Sequence, residues 1–402
     1  MIMELKPVLY ISTYLDPVAL RYVNIKSKSE SKPSIAAIKY AYLIKEGMKK
    51  FSDIDLRNLY LPTLATYPHS KITCFRKGRI DDGQYIPIVN FLLIKQITVF
   101  VFTFVYIFKW IFSNGIKKRK YVVMSSIQLP FLTALFFLKI FNLKIVSFVP
   151  DLPRYQFSYT QVESKLKKTF VPLYLSLTKR MVGVIDSYVL ITDYMKSFFP
   201  NKPYAIMEGI IDKNEDLSVY AEKTKNFTIM YAGALYEKFG LKSLLEAFID
   251  LKDEKCELWL FGVGDMVKTI KEMSLKDSRI IYWGHKPNDE ILLFQRQATL
   301  LVNPRYSSNE FTKYSFPSKL LEYMSSGTPV LTTKLPGIPE DYFDKMLYFE
   351  EETPEGFRRS IEDCMLMSRT ELYDFGKKAK MYVFQHKNNI NQLNRLKKFL
   401  FV

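Results

Sequence analysis

Apolar positions along the chain follow two periods in alternation. Short runs rich in β-branched and aromatic residues are separated by stretches whose apolar positions recur every three to four residues, which predicts strands and helices in turn, as in parallel-sheet α/β proteins. In the first half, strands are expected at 7–11, 72–75, 121–124, 144–149 and 187–191, with helices near 34–50, 94–112, 130–141 and 161–182. The pattern then restarts, with strands at 227–231, 257–261, 280–282, 300–302 and 329–332 and helices at 241–251, 265–273, 289–295 and 318–325. Two doubly wound α/β domains are therefore expected, over 1–205 and 227–380, joined by the polar linker 206–226. Residues 370–400 read as a long helical pattern that is basic at its end, with 381–402 available to dock back on the first domain.

Length agrees with this division, since 402 residues exceed what one core of about 250–300 residues accommodates. Hydrophobic residues make up 48% of the chain, which excludes a disordered polybasic protein. The formal charge of +17 is unevenly placed. Residues 1–205 hold 30 basic against 12 acidic residues, a net of +18, and the remainder has a net of −1. One half is thus suited to an anionic surface, nucleic acid or membrane. No helix-turn-helix, zinc-finger or ribonucleoprotein signature appears, so nucleic acid is not expected as a partner. Cys74, Cys256 and Cys364 show neither a disulfide framework nor zinc spacing, and the chain does not open on a secretory pattern, so a cytoplasmic location is expected.

Three apolar stretches bear on the membrane, of which residues 83–94 are short and hold a proline. Residues 96–108 are only thirteen without charge, and the eighteen of 121–138 are interrupted by Ser125, Ser126, Gln128 and Pro130, so core or interfacial roles are expected ahead of spanning ones. Phe100, Phe102, Phe104, Tyr106, Phe108, Trp110 and Phe112 precede Lys117, Lys118, Arg119 and Lys120. Apolar bulk beside a polybasic cluster suits the headgroup region of an anionic membrane, which makes Trp110, Lys117, Lys118, Arg119 and Lys120 candidate membrane or acceptor contacts. A buried helix followed by a solvated basic turn accounts for the segment equally well.

Chemistry concentrates in the second half. Residues 231–248 read as strand, glycine turn and helix, where Gly233 lets a phosphate approach the backbone and Lys238 adds a mobile cation. Gly262 and Gly264 follow the next strand, with Asp265 as the expected N-cap of a helix. Residues 300–305 end a strand at Arg305, and after a loop Tyr314, Ser315, Phe316, Pro317, Ser318 and Lys319 lead into a helix carrying Glu322, with Ser315 or Phe316 at its cap. Free backbone N–H groups at that helix start and a carboxylate one and a half turns inside form a pyrophosphate cradle with an acceptor for sugar hydroxyls. An ordinary βα turn, close helix-to-strand packing and a capped core helix are the structural readings beside these.

Taken in order and spacing, residues 231–248, 261–265, 282–284, 303–305 and 315–327 resemble retaining glycosyltransferase family 4, of the bacterial surface-polysaccharide type. The resemblance implies a GT-B fold, two Rossmann-like domains facing a cleft, and a UDP-sugar donor as co-substrate, with no cofactor and no metal. It also implies sugar transfer with retention to a lipid-linked or polysaccharide acceptor, and the charge asymmetry of the first half favours a place on the inner face of the cell membrane. That family places two glutamates eight residues apart at the donor helix. Glu322 matches the second, on the nucleotide ribose, while Tyr314 stands at the first. Lys238 matches the family's lysine on the pyrophosphate, and Ala234 occupies its arginine position, leaving Arg305 or Lys319 to compensate. In the first domain, 145–153 resembles the family's strand ending in His-Asp, with Pro150 at the histidine and Asp151 as the candidate catalytic or acceptor-contacting carboxylate. Loop bracing is the other reading of Asp151. The substitutions at 150, 234 and 314 keep a sugar-binding scaffold open, and a GT-B epimerase or phosphorylase is a further alternative.

Overall fold

The computed structural model describes residues 4–28, 31–76, 78–80, 82–153, 165–199, 201–214 and 221–402. They form two compact units, Met1–Glu208 with Asn389–Val402, and Gly209–Asn388. Part of the expected linker, 215–220, and the start of the helix expected at 161–182 lie outside the described residues.

In the first unit an eight-stranded sheet contains β1 (Lys6–Thr13), β2 (Ile54–Leu61), β4 (Arg79–Ile80), β5 (Gly83–Tyr85), β7 (Lys120–Met124), β8 (Leu143–Val149), β9 (Ser187–Leu190) and β10 (Tyr204–Ile206). Its order is β10-β9-β8-β7-β1-β2-β5-β4, parallel except for the β4–β5 pair. β3 (Cys74–Phe75) and β6 (Ile88–Val89) form a separate antiparallel pair, all that remains of the strand expected at 72–75. Helices α1 (Pro17–Lys26), α2 (Ile35–Met48), α3 (Leu92–Ser113), α4 (Leu129–Leu138) and α5 (Lys165–Met181) connect the strands. β1 and β7 are buried along nearly their whole length, as strands covered on both faces must be, which is why residues 7–11 and 121–124 within them are continuously apolar.

β2 was not expected, because Asp55, Arg57 and Asn58 interrupt its apolar pattern. Tertiary contacts take up the inward donors: Asn58 Nδ2 donates to the Asp82 carbonyl at 2.6 Å, and the Tyr60 hydroxyl donates to the Asp82 carboxylate at 2.8 Å. The same carboxylate holds Lys45 at 2.6 Å and Lys49 at 2.9 Å. The stretch 121–138 divides into β7 and α4, as its polar interruption predicts.

The second unit has a six-stranded parallel sheet of β11 (Phe227–Ala234), β12 (Cys256–Val263), β13 (Ile280–Gly284), β14 (Leu300–Asn303), β15 (Val330–Thr332) and β16 (Leu347–Tyr348), in the order β13-β12-β11-β14-β15-β16. Around it lie α6 (Leu241–Ile249), α7 (Val267–Ser274), α8 (Asn288–Gln297), α9 (Ser318–Ser326), α10 (Pro354–Leu366) and α11 (Arg369–His386). Thr353 caps α10, and Ser368 with Glu371 forms a capping box on α11.

The long terminal pattern is two helices. It breaks at Lys387–Asn388, where Ile211 bridges to the chain, and resumes as Asn389–Leu400 within the first unit. That last helix lies on α2 where Gly47 permits it; a Cβ at 47 would stand 2.6 Å from the Asn389 carbonyl oxygen. Lys397 adds an ion pair to Asp53 at 2.6 Å. With these residues included, the first unit holds 33 basic against 13 acidic residues, a net of +20, and the second a net of −3.

Candidate functional site

In the second sheet β11 is flanked by β12 on one side and β14 on the other, so successive crossovers leave it in opposite directions. Outside the carboxyl ends of the strands at such a switch point is where open α/β sheets bind ligands. The residues around it are Gly233 and Ala234 at the end of β11, Lys238 in the turn beyond, Arg305 just after β14, and the start of α9.

Gly233 makes room for a cation. A Cβ there would lie 2.6 Å from Lys319 Nζ and 2.8 Å from its Cε. The Lys319 ammonium donates to the Ala232 carbonyl, which also accepts from the Tyr323 hydroxyl at 3.2 Å. Burial pulls the Lys319 pKa down to about 8, with the Glu322 carboxylate opposing and Arg305 assisting. Lys319 and Glu322 stand three residues apart on one helical face. Glu322 Oε1 accepts from Gln295 Nε2 at 2.6 Å, so a buried amide from α8 holds the carboxylate.

Arg305 and Lys238 share one ring. The Arg305 guanidinium lies 4.6 Å from the centroid of Phe239, and Lys238 Nζ lies 5.4 Å from it. Their approach depends on Gly240, at φ +78°, where a Cβ would be 1.8 Å from the Pro304 carbonyl oxygen. Only glycine allows this turn to sit against the β14 end, so the backbone at 240 sets the spacing of the two cations.

Gly262 and Gly264 have a steric role in this structure. A Cβ at 262 would be 1.7 Å from the Gly233 carbonyl oxygen, and one at 264 would be 2.1 Å from that of Leu235. These positions face protein backbone and let the ends of β11 and β12 meet. Asp265 is not a helix cap: Met266 occupies the N-cap of α7, and the Asp265 carboxylate accepts from the Glu237 N–H at 3.1 Å. The α9 cap also differs from expectation. Pro317 is its N-cap, without a side-chain bond, while the Ser315 hydroxyl donates back to the Phe311 carbonyl at 3.0 Å. Phe316 is buried against Tyr342, Ser318 is exposed, and Tyr314 ends the preceding short turn half-buried. Gln295, Tyr323 and Phe239 were absent from the sequence reading, since an amide in an amphipathic helix and buried aromatics carry no chemical signal of their own.

In the first unit, Asp151 follows the carboxyl end of β8. The residue is exposed, yet desolvation on the inner side of the carboxyl raises its pKa to about 6. The buried hydroxyl of half-buried Tyr40 lies within the field of Asp151 and Glu208, which adds to the rise burial imposes on its phenol.

Two of the expected membrane contacts are corrected. Trp110 is 6% exposed, on the buried face of α3 with Val99, Thr103, Ile107 and Ile111. Lys120 opens β7 fully buried, its ammonium donating to the carbonyls of Ile116 at 3.1 Å and Lys118 at 2.5 Å. Three-to-four-residue spacing turns Trp110 inward, and β-sheet pairing draws Lys120 into the core. Lys118 pairs with Glu4 at 2.8 Å, Arg119 donates to the Val402 carbonyl at 3.1 Å, and Lys117 is exposed. The outward apolar face instead comprises Ile94, Ile97, Val101, Val105, Phe108 and Phe112 of α3, with Phe136 and Phe137 of α4 nearby. At 22 residues, α3 is long and apolar enough to cross a membrane by length and composition.

Comparison with known proteins follows the same division. Residues 226–366 match the family "Glycosyl transferases group 1". An uncharacterized glycosyltransferase of Methanocaldococcus jannaschii is 23% identical over 263 residues, 60% of this chain and 64% of that protein, so the match spans less than two thirds of the relative's length. The amylovoran biosynthesis glycosyltransferase AmsK of Erwinia amylovora is 30% identical over 118 residues, 28% of this chain and 29% of its own. Among solved structures, Anabaena HepE in complex with UDP superposes with a TM-score of 0.61 at 12% identity, covering 98% of this chain and 100% of that one. The chain therefore has the two-domain α/β architecture of the GT-B fold, and its second unit carries the glycosyl transferases group 1 match.

Proposed function

We propose that this protein is a glycosyltransferase that moves a sugar, with retention and without a metal, from a UDP-sugar to a lipid-linked saccharide during surface polysaccharide synthesis. The observation that carries the reading is the group of Lys319, Lys238 and Arg305 at the switch point of the second sheet, with Glu322 on the same helix face as Lys319. In this reading Glu322, steadied by Gln295, accepts from the ribose hydroxyls, and the three cations stabilise the charge that develops on the departing diphosphate. The N–H groups at the start of α9 add to that stabilisation. UDP as the nucleotide is supported by the HepE complex, and polysaccharide synthesis by the name of AmsK. Retention and metal independence rest on the resemblance of the ordered motifs.

Asp151 is assigned to the acceptor hydroxyl or the transferred sugar. The apolar outer face of α3 and the net charge of the first unit support peripheral attachment to anionic lipid on the cytoplasmic side. A panel of nucleotide-sugars with a lipid-diphosphate acceptor tests the function. Transfer from a UDP-sugar, lost in Glu322→Ala and Lys238→Ala with folding intact, is the expected result. Binding without transfer by any donor would instead identify a scaffold, and acceptor-independent conversion of the sugar an epimerase.

A further inference from the structure

A cavity of about 190 Å³ lies wholly within the first unit, at the carboxyl ends of β1 and β2 and the starts of α3 and α4. Its polar lining is Thr13, Thr63, Lys95, Gln96 and Gln128; the other lining side chains are apolar, and none is acidic. Lys95 Nζ donates to the Leu64 carbonyl at 2.6 Å, and no ion pair to this ammonium is found among the described residues. The Thr63 hydroxyl is buried with no hydrogen-bond partner among them. A half-buried ammonium with protons to spare, an unpartnered hydroxyl and two carboxamides form a donor-rich pocket suited to an anion. Burial already lowers the Lys95 pKa to about 8, and a neighbouring anion would reverse that shift.

The direction of α3 says which anion fits. Lys95 is in its first turn, and the exposed stripe Ile94, Ile97, Val101, Val105, Phe108, Phe112 runs from that turn to the last. At 1.5 Å per residue this apolar track is about 27 Å long, roughly the thickness of a bilayer's hydrocarbon core. Resting on the glycosyltransferase reading, we infer that the cavity holds the phosphate or diphosphate of the lipid-linked acceptor, with its hydrocarbon chain laid along the outer face of α3. The phosphate would meet the Lys95 ammonium, the Thr63 and Thr13 hydroxyls and the amides of Gln96 and Gln128.

The test titrates the full chain, with UDP saturating so that the diphosphate site of the second unit is occupied, using farnesyl diphosphate, farnesol and inorganic pyrophosphate. Farnesyl diphosphate is expected to bind at least about tenfold more tightly than either fragment, and Lys95→Met to weaken it at least about tenfold. UDP affinity should be unchanged in that variant, which also shows that it folds. Thr63→Val, a near-isosteric second variant, should weaken farnesyl diphosphate severalfold. Val105→Glu should bring it down to the level of pyrophosphate. Affinity indifferent to both Lys95→Met and Thr63→Val would overturn the site. Pyrophosphate binding as tightly as farnesyl diphosphate would overturn the lipid source. Wild-type protein that fails to bind UDP would count against the glycosyltransferase reading, a separate measurement from any loss at Lys95.

Discussion

Lys319→Met separates stability from binding at the second-unit site. Holding this ammonium in the fold lowers its pKa from 10.5 to about 8. At about 1.4 kcal/mol per pH unit that is a cost of roughly 3 kcal/mol, and solvent screening at a side chain that is not fully buried reduces it to about 2 kcal/mol. Methionine keeps the stem and removes the charge. Its loss of the bond to the Ala232 carbonyl costs about 1 kcal/mol, since the Tyr323 hydroxyl still donates to that oxygen at 3.2 Å. The variant without ligand should therefore be about 1 kcal/mol more stable at pH 7, a rise in Tm of about 2–4 °C for a unit of this size. UDP affinity should fall in the other direction, by about 10- to 100-fold, the value of a charge-assisted bond to phosphate. Above pH 8 folded Lys319 releases its proton while the unfolded chain keeps its own to about 10.4. The unfolded state then binds more protons, so wild-type stability at this site rises with pH; of the roughly 2 kcal/mol it recovers between pH 8 and 10.5, the first half closes the gap and the rest reverses it. Thermal melts and calorimetric UDP titrations at pH 7 and 9.5 check both signs. Unchanged UDP affinity, or a lower Tm at pH 7, would refute the placement of Lys319 as a desolvated phosphate ligand.

Gly240→Ala should cost at least about 3 kcal/mol and abolish UDP binding, because left-handed strain adds to a backbone collision. Gly115→Ala, at φ +81° with open space around its Cβ, should cost only about 1 kcal/mol, so equal urea midpoints would contradict the account. In the first unit, burial opposes ionisation of Asp82, but bonds from Lys45, Lys49 and Tyr60 hold its pKa down to about 2. The associated stability is fully present above about pH 4 and lost as pH falls through 2. Asp82→Ala should cost about 3–5 kcal/mol at pH 7 by leaving buried Lys45 without its main partner, and chemical denaturation measures it. If the Asp151 carboxylate acts in its ionised form, kcat/KM should fall below about pH 6, with the limb absent from the residual activity of Asp151→Asn. The protein should co-sediment with anionic vesicles and be released by salt, and Val101→Glu should weaken retention, whereas equal retention on neutral vesicles at high salt would point to an apolar anchor alone.

The local sequence determined a good deal. Strand and helix periods mark the alternation of both units, and the charge imbalance is already present in residues 1–205. The turn at 231–240 and the helix carrying Glu322 are readable because glycine, proline and helical spacing act over a few neighbours. Tertiary structure decided the rest, wherever a residue's role depends on what the chain brings beside it. β2 reads as polar until Asp82 accepts from Asn58 and Tyr60. Trp110 and Lys120 read as surface residues until helix phase and sheet pairing bury them. Gly233, Gly262 and Gly264 read alike, yet the first faces the Lys319 ammonium and the other two face backbone. Gln295 becomes informative only when α8 lies against Glu322. Periodicity and composition are local or summed properties, so the chain alone specifies its elements and net charge. Which cations share a switch point depends on contacts between strands and helices far apart in sequence, and only the fold supplies those.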